Sequence, residues 1–160
     1  MLSAALKVVA GVAVVAAIGV AHEWKADLTP AGESGITGTA TVNTGTPPTA
    51  DTTKPAAAPF KAQVSIMGAK DGDALPWHVH SGTCGAKDAP IVGAASDYAA
   101  IKVGPNGEGK AMATVNEALA GNGQYLVNVH KSADDLTVVS CGELKMTGVV
   151  GTMPTPMPQR

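Results

Sequence analysis

Four histidines occur in the chain, and two of them stand one residue apart, in the run Leu75-Pro76-Trp77-His78-Val79-His80-Ser81. In a β-strand alternate side chains point the same way. His78 and His80 then share one face, and Trp77 and Val79 brace the other. A third histidine, His130, closes the run Tyr125-Leu126-Val127-Asn128-Val129-His130. There Tyr125, Val127 and Val129 alternate with Leu126, Asn128 and His130. If the two strands are neighbours, three imidazoles meet on one side of a sheet. Imidazole is a good ligand for copper and for zinc, and copper(I) accepts three nitrogens readily. The competing reading is three surface histidines that bind nothing.

The elements that must position these residues read as β throughout. Glu23 to Thr29 reads as a first strand ending at Pro30. Ser34 to Asn43 alternates Ile36, Gly38, Ala40 and Val42 with Thr37, Thr39 and Thr41, the pattern of a half-buried strand. Phe60 to Met67 alternates again, with Phe60, Ala62, Val64 and Ile66 on one face. Gly68 to Ala74 reads as a turn, followed by the His-x-His strand and a loop, Ser81 to Ala95, that holds Cys84. Asp97 to Val103 and Gly109 to Val115 form a hairpin around Gly104-Pro105-Asn106-Gly107, a strong turn sequence. Gln124 to His130 and Thr137 to Met146 are the last two strands. Eight short strands with turn-rich connections predict an antiparallel sandwich or barrel. The expected domain spans 22–147. Within it, 44–59 is a Thr/Pro/Ala-rich surface loop, and 148–160 is an unpaired Pro/Met-rich tail.

Bulk properties narrow the function classes. The chain has 160 residues, enough for one domain with a real core. Its 11 basic residues against 13 acidic ones argue against an electrostatic nucleic-acid binder. No Gly-rich phosphate loop, no Ser/His/Asp ordering and no Cys-x-x-Cys is present, which leaves a hydrolase or a redox dithiol without support. Residues 1–21 read as a signal peptide, or as an anchor if uncleaved. Lys7 precedes an apolar run from Val8 to Val20 that is short for a spanning helix of about 20 residues, and small residues precede a cleavage point after Ala21. Any membrane association then runs through this segment alone. Export makes the cysteine count informative. Cys84 and Cys141 are an even pair in an oxidising compartment, so a bridge is expected over two buried thiols. Cleavage after Ala21 would also make His22 a terminal residue, whose amine and imidazole could chelate copper together; the plain reading is a residue opening a strand. Met146, Met153 and Met157 could likewise hand copper(I) to the site, or simply belong to a tolerant tail.

The ordered set Gly35-Ile36-Thr37-Gly38-Thr39, His78-Val79-His80, Cys84, Val129-His130, Ala133-Asp134-Asp135-Leu136 and Cys141-Gly142 resembles the copper/zinc superoxide dismutases over about Ala26 to Leu144. The resemblance implies an eight-stranded Greek-key barrel with copper on His78, His80 and His130. It also implies a Cys84–Cys141 disulfide and a role for Asp134 in linking metal ligands from outside. Three departures accompany it. Between Cys84 and His130 there is no histidine, so the family's bridging ligand and its zinc site are not supported. The family's arginine three residues before the second cysteine is Val138 here. Only Leu136 to Ser140 separates the Asp pair from Cys141, so the family's long anion-steering loop is missing. The implied protein is a copper-only, three-histidine version with an open site. Its partners are the copper ion and superoxide, and its place is the periplasm or the outside of the cell. The expected dismutation is weaker than the family norm, or absent. Val79-His80-Ser81-Gly82 and Tyr125 to His130 also resemble chordin-type (CHRD) domains. That likeness implies a β domain of non-enzymatic, structural role in the cell envelope. A non-catalytic copper-binding or carrier protein is the third reading.

Overall fold

Every second side chain of Phe60–Met67 is apolar, and that strand buries Phe60, Ala62, Val64 and Ile66 while Lys61, Gln63 and Met67 face outward. The same period shapes most of the molecule in the computed structural model, which describes residues 21–45 and 58–150. Nine strands form: β1 (Ala21–Pro30), β2 (Thr37–Thr44), β3 (Phe60–Met67), β4 (Ala74–Leu75), β5 (Trp77–Ser81), β6 (Ile101–Val103), β7 (Gly109–Val115), β8 (Tyr125–His130) and β9 (Val138–Val150). All pair antiparallel, in the order β4-β6-β7-β3-β2-β1-β9-β8-β5. The two end strands, β4 and β5, follow one another in the chain with only Pro76 between them. The sheet therefore curls nearly into a barrel, with its seam at a residue that has no N–H to give to a ladder.

The inward faces form one core. Trp24, Leu28, Val42, Phe60, Val64, Leu75, Trp77, Ile101, Val115 and Val127 are among its members. Close approach of backbones is part of the packing. A Cβ on Gly38 would run into the Ser65 carbonyl of β3, so the β2–β3 contact needs glycine there. Gly107 supplies the positive φ of 73° that turns the β6–β7 hairpin.

Several sequence expectations change. There are nine strands rather than eight, because Ala74, read as the last residue of a turn, pairs with β6 together with Leu75. The expected strand Asp97–Val103 begins only at Ile101; Ala95–Asp97 is a 3-10 turn instead. The supposedly unpaired tail starts inside β9, whose Gly148, Val149 and Val150 pair with Glu23, His22 and Ala21. The targeting segment up to residue 20, residues 46–57 of the Thr/Pro/Ala-rich insert and the tail from residue 151 lie outside the described residues.

Strands β5 and β8 depart from simple alternation. Both are buried on both faces almost throughout. Trp77, Val79, Tyr125, Val127 and Val129 belong to the core, whereas Leu126 is buried but lies outside it. The outer face of this strand pair is thus roofed. The roof is the 82–99 connection: a Cβ on Gly82 would stand within 3.8 Å of both Leu126 on β8 and Ala89 farther along the connection. Ser81 N–H donates to the Pro90 carbonyl at 3.0 Å, and Val92 N–H to the Val79 carbonyl at 2.9 Å. That pairing also covers the free edge of β5.

Candidate metal centre

The register of β5 and β8 brings the histidines together. His78 lies opposite Asn128, His80 opposite Leu126 and Trp77 opposite Val129. His130 follows Val129 on the same outer face as Asn128, and its N–H donates to the Pro76 carbonyl at 2.8 Å, which places it diagonal to His78. The β8–β9 register shifts between Val129 and His130, a bulge that lets Val139 pass without a partner and re-aims the strand end. The three rings converge, with centroids 5.7 Å apart for His78–His80, 5.3 Å for His78–His130 and 5.9 Å for His80–His130. One nitrogen from each lies within 4.8 Å of the other two, and all three residues are buried. They are close enough to hold one metal ion.

Two carbonyls decide which nitrogens are free. His80 Nδ1 lies 2.7 Å from the Ala89 carbonyl, and His130 Nδ1 lies 2.8 Å from the Leu136 carbonyl. A carbonyl only accepts, so each Nδ1 carries the proton and each Nε2 keeps its lone pair. Among the described residues, Nε2 of His80 is buried without a hydrogen-bond partner, and so is Nδ1 of His78. Cross-strand from His78, Oδ1 of Asn128 is a third such atom. Buried polar atoms normally find partners. Orphans concentrated on one roofed face fit a guest ion bound by nitrogen.

Electrostatics favour the ligating form. Burial, and then the neighbouring His130 and His80, push the His78 imidazolium pKa down to about 4. His80 is lowered as well, mainly by burial, against an opposing contribution from the Ala89 carbonyl. At neutral pH both rings are uncharged, the state that binds a metal.

The surroundings hold a group that sequence reasoning did not single out. Tyr98 stands edge-on to His78 and to Trp77, with centroids 5.3 Å away in each case, and its hydroxyl donates to the Val92 carbonyl at 2.7 Å. Burial raises its phenol pKa well above the ordinary range. The one advance signal of Tyr98 in the sequence is a lone aromatic at the start of an apolar stretch. Trp77 Nε1–H donates to the Ala99 carbonyl at 2.8 Å, so the roof is tied down beside the ligands.

The two aspartates after His130 sit differently in their turn. Asp134 is exposed. Asp135 organises the turn that presents the Leu136 carbonyl to His130. Its carboxylate accepts from Thr137 Oγ1 at 2.6 Å, Thr137 N–H at 3.1 Å and Lys131 Nζ at 2.9 Å. Its own N–H reaches Ser132 Oγ at 3.0 Å. The Thr137 hydroxyl, then Lys131, hold the Asp135 carboxyl well below the usual carboxylate range.

Cys84 and Cys141 form a disulfide with their Cα atoms 6.0 Å apart. It fastens the roof segment that carries Ala89 to β9. His22 sits inside β1, its N–H donating to Thr44 Oγ1 at 2.7 Å. The tail positions Met153 and Met157 lie outside the described residues.

Comparison with models of known protein families found no match to this chain, and comparison with curated proteins found none either.

Proposed function

We propose that this is an exported copper protein of the superoxide dismutase type, with a Greek-key barrel, one copper ion on His78, His80 and His130, and no zinc site. The observation that carries the reading is the convergence of three buried imidazoles, two of them with partnerless nitrogens on the face where the rings meet. An all-nitrogen set of three suits copper. When bound, copper would supply one-electron chemistry, taking an electron from one superoxide and giving it to the next. The chain's own part is to hold the rings. Ala89 and Leu136 fix two of them through their carbonyls, and Tyr98 lies against the third. Activity below the family norm follows from what surrounds the rings. Val138 stands in the guiding position, and the chain's single arginine is Arg160. Lys131, the nearest cation in sequence to His130, is paired with Asp135. Little positive potential is left to steer or orient an anion.

That same weakness favours one second reading, a copper-holding protein without turnover. Metal analysis of the purified protein and superoxide decay measured with the copper-loaded form separate the two. The expected result is one copper held by the three histidines, with decay faster than buffer and abolished by His130→Ala. One copper without accelerated decay selects the holding protein. A chain that takes up no metal removes both and leaves a structural β domain.

A further inference from the structure

Five buried side-chain polar atoms lack a hydrogen-bond partner among the described residues, and they fall in two places. Three belong to the centre already described. The other two are Nδ1 of His22 and Nε1 of Trp24, residues that alternation puts on the same side of β1. Trp24 is 3% exposed, and its cross-strand partner on β9 is Met146. The register shifts between Glu23 and Trp24, with Thr147 as the extra residue, so β9 bends at this point. Across from them lies Gly121. A Cβ built there would sit 3.8 Å from His22 Nε2 and 3.8 Å from the Met146 methyl. His22 Nε2 and the methyl end of the 37% exposed Met146 therefore border the same small space beside a residue with no side chain. The His22 backbone is pinned, its N–H to Thr44 Oγ1 and its carbonyl to the Thr44 hydroxyl.

We propose that His22 and Met146 form a second metal-binding pair at this end of the barrel, selective for a soft monovalent ion of the Cu(I) type. A thioether selects soft ions, and one imidazole beside it keeps that preference. Neither donor brings a negative charge, so a singly charged ion costs less to enclose there than a divalent one. The Trp24 indole, paired with Met146 across the strands, adds a π system that attracts a cation. Glycine at 121 leaves the space open. The pair shares no residue with the three-histidine centre, and the proposal stands whether or not that centre binds copper.

The test is a titration with Ag(I), a redox-silent ion of the same softness, into the full chain carrying ε-13C-methyl methionine. Each of the six methionines gives one methyl signal, and Met146→Leu assigns the one at issue. The expected result is a Met146 signal that shifts and saturates with one ion, while those of Met67 and Met112, which are more exposed than Met146, stay in place. His22→Gln, which keeps a polar side chain of similar reach, should weaken the response at Met146 by about tenfold or more. The tryptophan signals of that variant without metal report whether the barrel end is intact. His80→Ala, which dismantles the other centre, should leave the Met146 response unchanged. A Met146 signal that does not move overturns the proposal. So does one that moves with the same affinity in an intact His22→Gln protein, because the thioether would then be binding alone.

Discussion

Leu136 and Ala89 act at the candidate metal centre through their carbonyl oxygens, so no feature of their side chains announces them. What a side chain can do is hold such a carbonyl in place, and Asp135 does so with three accepted hydrogen bonds in the turn after His130. Asp135→Asn removes the charge that Lys131 and both Thr137 donors address. It is expected to lower copper affinity by roughly tenfold and to alter the copper(II) paramagnetic resonance spectrum. Asp134→Asn is expected to leave both unchanged. Chelator competition on the two variants checks this, and equal losses would return the role to Asp134. The three histidines were legible because the period of a strand puts His78 and His80 on one face. The choice between adjacent aspartates was not, since it depends on which carboxylate the donors of the turn close around. Tyr98 was invisible for a similar reason: its contact with His78 is made across a loop.

At the scale of elements, the roof over β5 and β8 is held at one end by the Cys84–Cys141 bond, across a sequence separation of 57 residues. Closing a loop of that length restricts the unfolded chain by roughly 4 kcal/mol on the chain-entropy estimate. The double change Cys84→Ser and Cys141→Ser is therefore expected to lower the urea midpoint substantially. It should also speed copper release, because the same segment carries the Ala89 carbonyl that orients His80. Stopped-flow chelation of the loaded proteins measures the second effect; an unchanged release rate would show that the roof keeps its place without the bond. Strands β3 and β7 were legible to the residue, since each buries alternate side chains against one core. Burial of β5 and β8 on both faces was not, because their second cover comes from a connection without a repeating pattern. Two-residue β4 is too short to show any period. The end of β9 hid in Gly148-Val149-Val150, where a glycine and two adjacent valines break the alternation.

For the molecule as a whole, stability should depend on pH through the buried rings. His78 has a folded value of about 4, against 6.5 for a histidine free in water. Between those values the unfolded chain binds a proton that the folded chain refuses, so this contribution is full above pH 6.5, is lost as pH falls, and is gone below about 4. The metal-free protein should show a urea midpoint that declines across that window. Replacing His78 by Gln should flatten the decline, and a decline of equal steepness in the variant would assign it to other groups. The core itself is less forgiving. Phe60 is the chain's sole phenylalanine and is fully buried, so Phe60→Ala is expected to cost roughly 3–5 kcal/mol, read by equilibrium unfolding. The antiparallel all-β character was legible because nearly every strand keeps its period. The strand order was not, since β3–β7 and β1–β9 adjacency rests on long connections that no local pattern encodes. Because the imidazoles project from the side of β5 and β8 turned away from the apolar interior, the interior is complete without them. The barrel can therefore close before any ion arrives, and an ion taken up by the proposed centre would be the guest of a finished fold.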